Sequence, residues 1–183
     1  MNCYNNNELY HYGVPGMKWG HRKAQRLEAK YTRKLSRSGR ARGAAEYERN
    51  AGDAAYKKHD ATAKVFDKVA KKNEKSGNYL KAEAARRAAE AVRARGSNIK
   101  QQHDEAAKYL EKRADKLQEK ANTFASKKRV DMGKNKIDSI LKTSKQKGYE
   151  YRKASDEYQK ETAMRERIGD DAYDTLERIR GRK

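Results

Sequence analysis

Residues 97–128 read SNIKQQHDEAAKYLEKRADKLQEKANTFASKK, and this stretch decides the fold class. Ile99, Ala106, Leu110, Ala114, Leu117, Ala121 and Phe124 recur at three- and four-residue spacings, the signature of an amphipathic helix. Ser97 after Gly96 supplies an N-cap residue. The apolar stripe is thin and Ala-rich, closer to a coiled-coil edge than to the side of a globular domain.

Working outward, the same character extends in both directions. Residues 44–75 carry Glu46, Asp53, Asp60, Asp67 and Glu74 at seven-residue intervals. Lys57, Lys64 and Lys71 follow the aspartates at i+4, the favourable orientation for pairs along one helix. The expected apolar face here is Ala51, Ala55, Thr62, Val65, Phe66 and Val69. Residues 78–94 give a shorter helix through Leu80, Ala84, Ala88 and Val92, and 134–146, 150–168 and 170–180 suggest three more. Breaks are expected at Gly39/Gly43, Gly77, Gly96, Gly133, Gly148 and Gly169, while Gly52 is expected to stay inside its helix. His59 and His103 stand alone in their helices and are expected to face solvent. The similar seams of 44–75 and 97–128 suggest an antiparallel hairpin or a self-associating coiled coil.

Composition sets the bounds. Of 183 residues, 46 are Lys or Arg and 26 Asp or Glu, a net charge of +20, and the mean hydropathy is −1.35. Leu, Ile, Val and Phe together number 20, too few for a large buried core. The lone proline is Pro15, and the rest is rich in helix formers, which favours elongated helices over disorder. The lone Cys3 makes no internal disulfide, no window is apolar enough to span a membrane, and the first residues do not read as a signal peptide. A cytoplasm, or a particle assembled there, is the expected location.

Residues 9–20, LYHYGVPGMKWG, differ from everything after them. They hold the lone Trp and the lone Pro, and Val14-Pro15-Gly16 is a turn signal. Trp19 and Met17 beside permissive glycines suit anchoring in a partner's pocket. They equally suit a cap folded onto Leu27 and Tyr31. The residues Tyr10, His11, Tyr12, Gly13, Gly16, Met17, Lys18, Trp19, Gly20 and Arg22 resemble a short motif, H-x-G-x-x-G-M-K-W-G-x-R. It is similar to one in structural, head-associated proteins of tailed bacteriophages and prophages. That resemblance covers about 12 residues. It implies a phage or prophage origin more than any biochemical role, and with the anchoring read from Trp19 and Met17 the expected partner is a phage structural protein. It implies no catalysis.

Fourteen of the net charges fall in two stretches, 21–42 and 121–148. The first holds Arg22, Lys23, Arg26, Lys30, Arg33, Lys34, Arg37, Arg40 and Arg42, with Leu27, Tyr31 and Leu35 on one line. The second holds Lys127, Lys128, Arg129, Lys134 and Lys136. Such clusters suit salt-dependent, sequence-independent contact with nucleic acid, and equally suit a solvated face that keeps a thin-cored chain soluble. No pattern for sequence-specific readout occurs. Bulky apolar residues are too few for a membrane-surface helix. Cys3, His11 and His21 lack the spacing of a zinc site, no catalytic motif occurs, and no cofactor is implied.

The expected protein is therefore all-α, elongated and non-enzymatic. Residues 1–20 form an irregular docking or capping element, 21–43 a basic helix, and 44–183 a helical bundle or coiled coil. The expected function is that of a phage virion or head-assembly protein, of scaffold or internal-cargo type. Its expected partners are a phage structural protein, nucleic acid bound without sequence preference, and a further copy of the chain through helical seams. The alternatives are a nucleic-acid-binding accessory protein in the host cytoplasm and a small helical protein that sequesters a host factor.

Overall fold

The computed structural model describes residues 19–181. They form four helices: α1 (Trp19–Lys75), α2 (Tyr79–Lys128), α3 (Lys134–Ile168) and α4 (Asp170–Arg180). Among the described residues there is no strand. The irregular element expected over 1–20 lies outside the described residues up to position 18, and Trp19 already opens α1.

With 57 residues, α1 is about 85 Å long at 1.5 Å per residue. It is the shared element. α2 returns along it, α3 runs beside it in its own direction, and α4 packs on the end of α3. The return between α1 and α2 takes three residues, Ser76 to Asn78. Gly77 has φ +71°, its N–H donates to Glu74 O at 2.9 Å, and that of Asn78 donates to Asn73 O at 2.9 Å. These two bonds close the helix in a Schellman turn, whose left-handed residue is cheapest as glycine. The end of α2 repeats the device with a non-glycine. Arg129 takes φ 49°, and Val130 N–H donates to Ala125 O at 2.9 Å.

Small residues make the α1–α2 seam. The buried line is Ser38, Ala45, Gly52, Ala63 and Ala70 on α1 and Ala82, Ala89, Gly96, Ala107, Ala114 and Ala121 on α2. Most steps are seven residues, as in a coiled coil. One step on each helix is eleven, from Gly52 to Ala63 and from Gly96 to Ala107. With Ala, Gly or Ser at each step, the backbones approach closely, and Ser38 Oγ donates to the Ala114 carbonyl at 2.9 Å.

The two helices are copies of one pattern. Residues 41–72 align with 85–116, forty-four positions on, with fourteen identities in thirty-two, including Ala45/Ala89, Gly52/Gly96, His59/His103, Ala63/Ala107 and Ala70/Ala114. Folded antiparallel, the repeats become mutual partners. His103 stands over Gly52, and His59 stands over Gly96. Arg49 pairs with Glu111, and the equivalent Arg93 pairs with Asp67.

α3 approaches α1 through another set of small residues. A Cβ on Gly43 would overlap the Lys145 carbonyl oxygen, one on Gly148 would overlap the Arg40 carbonyl oxygen, and one on Gly39 would lie 2.7 Å from Ser144 Cβ. The backbones of α1 and α3 are thus in direct contact. Farther along, Glu48 of α1 joins all three long helices. It is 2% exposed, accepts from His103 Nδ1 of α2 at 2.6 Å, and accepts from Arg152 Nε of α3. Beside it Tyr47 meets the Tyr149 ring edge-on at 5.5 Å and donates to Asp156.

Several sequence expectations change. Gly77, Gly133 and Gly169 do separate helices, but α1 runs through Gly39, Gly43 and the expected 43/44 boundary, α2 through Gly96, and α3 through Gly148. At those positions the missing side chain admits a neighbouring helix rather than a turn. His59 and His103 are half-buried at the seam, not solvent-facing. Thr62, Val65, Val69, Leu80 and Ala84, expected on apolar faces, are exposed, because a seam this tight accepts only the small residues beside them. Of the three expected i,i+4 pairs, Asp60–Lys64 forms. Asp53 instead reaches Lys100 and Asp67 reaches Arg93, both across the hairpin.

Candidate nucleic-acid interface

The antiparallel return brings the two basic stretches together. α1 begins where α2 ends and α3 begins, so residues 22–42 and 120–147 share one pole of the bundle. Each stretch carries nine Lys or Arg, against one acidic residue in the first and two in the second. At the opposite end the excess is smaller, ten Lys or Arg against five Asp or Glu over residues 60–95, and pairs cross the hairpin, including Glu74–Arg86 and Asp67–Arg93.

An apolar cluster under the pole fixes the charges in place. Tyr31 and Leu35 of α1 are buried with Ala121 of α2 and Met132 of the α2–α3 connection, and Phe124, Val130, Ile137, Ile140 and Leu141 close around them. The line Leu27, Tyr31, Leu35 read from the sequence is thus the inward edge of α1, with Leu27 half-buried. Between them Ala29, Lys30 and Arg33 are exposed.

Of the cations singled out by sequence, Lys23, Arg26, Lys30, Arg33, Arg37, Arg40, Lys127, Lys128, Arg129 and Lys134 are exposed and make no ion pair with a described carboxylate. Lys34 lies over the Phe124 ring, 5.3 Å from its centroid, and joins α1 to the last turns of α2. Two cations are engaged instead: Arg42 pairs with Asp115 at 3.3 Å, and Lys136 pairs with Glu28. Arg22 is half-buried. Of the docking residues, Tyr10 to Lys18 lie outside the described residues, while Trp19 and Gly20 open α1.

Sequence reading missed a groove on the same pole. About 770 Å³ in volume, it runs between α1 and α3. Thr32, Ser36 and Arg40 form one wall, Ser139, Thr143 and Lys147 the other, with Ile140 and Ser144 between them and Tyr151 at one end. The hydroxyls repeat at i, i+4 on both helices, a weak signal in sequence. It becomes a site only once the parallel register of α1 and α3 is known. The chemistry offered is hydrogen-bond donation and positive charge. Among the described residues, no group of three His, Cys, Asp or Glu side chains is placed to hold a metal ion, and no helix is long and apolar enough to cross a membrane.

Over residues 4–26 the chain is similar to a family of unknown function, DUF7211. That match spans the N-terminal element and the first two turns of α1. No curated protein and no solved structure matches the chain.

Proposed function

We propose that this chain is a non-enzymatic phage virion or head-assembly protein that lays its basic pole on nucleic acid, without sequence preference, and docks on a structural partner through its N-terminal motif. The observation that carries this reading is the convergence of two basic stretches, far apart in sequence, on one pole. A face of unpaired Lys and Arg displaces counterions from a phosphate backbone, and that is sufficient for sequence-independent affinity. The resemblance of residues 10–22 to a phage structural motif supplies the setting. The last residues of the motif, from Trp19, open α1 at the same pole, which puts a docked partner beside the nucleic acid.

The test is fluorescence anisotropy of the full chain with labelled nucleic acids of several sequences, from 50 to 300 mM salt. Affinity should be equal across sequences and fall linearly on a log–log plot, with a slope of several units. Reversing Arg26, Lys30, Arg33, Lys127 and Lys128 to Glu should flatten that slope while circular dichroism is unchanged. Absence of binding at 50 mM salt rejects the reading. In phage particles, Trp19→Ala should block incorporation of the chain, and normal incorporation rejects the docking role.

A further inference from the structure

The groove between α1 and α3 is built differently from the rest of the pole. Elsewhere the cations radiate from convex helix surfaces. Here two parallel helices touch at Gly43 and Gly148, and side chains four residues apart line the groove from both helices. Thr32, Ser36 and Arg40 line it from α1 and Ser139, Thr143 and Lys147 line it from α3, each series at i, i+4, i+8 and the two series 107 positions apart in sequence. Within each series the side chains follow one another every ~6 Å along the helix axis, about the length of one extended nucleotide. On each wall two hydroxyls therefore lead to a cation. Neither cation is neutralised by a described carboxylate, and Arg40 commits one N–H to the Ser36 carbonyl at 3.4 Å. Beyond them Tyr151 holds its ring in solvent, 78% exposed.

We propose that this groove seats a single-stranded nucleic acid, with its phosphates on the hydroxyls and cations and a base stacked on Tyr151. The inference rests on the reading of the basic pole as a polyanion surface and names where on that pole the chain of phosphates lies. Serine, threonine, arginine and lysine are the side chains that grip phosphate oxygens. Hydroxyls on short side chains act only on a strand that descends between the helices. A duplex, with its phosphates on a wide cylinder, reaches the outer arginines and not the groove. An exposed tyrosine at the end of a cationic track is the stacking platform of sequence-tolerant single-strand binding.

The experiment measures anisotropy of a labelled ten-residue oligothymidylate and of a duplex of the same length, with the full chain, three groove variants and the outer-pole reversal of Arg26, Lys30, Arg33, Lys127 and Lys128 to Glu. Tyr151→Ala should weaken single-strand binding about five-fold or more and leave duplex binding unchanged. Tyr151→Phe should retain wild-type affinity, because the ring does the stacking. Arg40→Glu with Lys147→Glu should weaken the single strand at least ten-fold and reduce its salt slope by more than about 1.4, the share of two phosphate contacts. All three positions are exposed or at the groove rim, and circular dichroism checks each fold. Loss of binding confined to the outer-pole reversals, with the groove variants like wild type, overturns the groove and leaves the polyanion reading standing. Equal losses for single strand and duplex on Tyr151→Ala also overturn it. Failure of the unaltered chain to bind either probe at 50 mM salt removes both.

Discussion

His103 of α2 stands over Gly52 of α1, its Cβ 2.9 Å from where a Gly52 Cβ would lie, and His59 stands over Gly96 with the same distance at 2.7 Å. The two contacts are equivalent positions of one duplicated pattern, brought face to face by the hairpin. Each falls in the eleven-residue step of the seam, where the seven-residue rhythm slips by four. At that slip the line of alanines yields to a large ring, and the facing helix answers with no side chain at all.

Gly52→Ala and Gly96→Ala test this reading. In an open helix, glycine to alanine gains about 1 kcal/mol. Here the new methyl meets a histidine Cβ close to its own backbone, and overpacking of that kind costs about 1–3 kcal/mol. Both variants should therefore melt lower than wild type by a few degrees. Gly181→Ala, at helical backbone angles with nothing closer than 3.4 Å to the new methyl, is the control and should not fall. A higher Tm for either seam variant would show that the histidine moves aside.

Gly43 and Gly148 should be less forgiving, because what they meet is backbone. Gly43→Ala places a methyl in the Lys145 carbonyl, and Gly148→Ala places one in the Arg40 carbonyl. Neither can rotate away without displacing a whole helix. The expected result is local: α3 amides lose hydrogen-exchange protection while those of the α1–α2 hairpin keep it. Uniform loss along all three helices would mean that α3 is integral to the hairpin's stability.

The sequence carries the helices plainly and their partners poorly. A chain without proline after position 15, filled with Ala, Lys, Arg and Glu, is legible as helix from local propensity alone. The turn at Gly77 is legible too, since Ser-Gly-Asn is poor helix and good Schellman turn. Gly43, Gly96 and Gly148 look the same locally, and what separates them from Gly77 is a neighbouring backbone that propensity does not contain. The same holds for Asp53 and Asp67, whose i+4 lysines are present but lose to Lys100 and Arg93 across the hairpin. On the pole, the exposed cations could be named one by one, because charge belongs to the residue. Thr32, Ser36, Ser139 and Thr143 could not, because their meaning lies in the register of two helices a hundred residues apart.

Glu48 predicts an asymmetry. Its carboxylate is buried, with its side chain 3% exposed, while Arg152 and His103 remain 40% and 28% exposed. Because His103 Nδ1 faces a carboxylate oxygen, that nitrogen carries the proton. Removing Glu48 releases two groups that reach water. Removing Arg152 leaves a carboxylate in the interior with half its partners, and an uncompensated buried charge is the costly outcome. Arg152→Met should therefore destabilise more than Glu48→Gln, by about 1 kcal/mol or more in urea denaturation. The reverse order would mean that the strut matters less than the packing of the Arg152 stem.

Tyr47 and Asp156 make stability depend on pH at both extremes. Burial, the hydrogen bond to Asp156 and the charges of Asp156, Glu48 and Glu157 push the Tyr47 hydroxyl well above the ordinary tyrosine range. For Asp156, burial pushes the carboxyl up, but hydrogen bonds from Lys160 and Tyr47, with the charges of Lys160 and Arg152, outweigh it and hold the group below the ordinary aspartate value of 3.8. The signs follow from linkage. Tyr47 contributes stability that is complete below pH 10 and is lost as pH rises toward its folded value, because the unfolded chain ionises first. Asp156 contributes stability present above pH 3.8 and lost as pH falls through its depressed folded value. Tyr47→Phe should lower the urea midpoint at pH 7 and flatten the decline between pH 9 and 11. Asp156→Asn should flatten the acid decline and also weaken the alkaline one, since it removes the carboxylate that holds the Tyr47 proton. Alkaline declines of equal steepness in wild type and Tyr47→Phe would place the sensitivity elsewhere in the bundle.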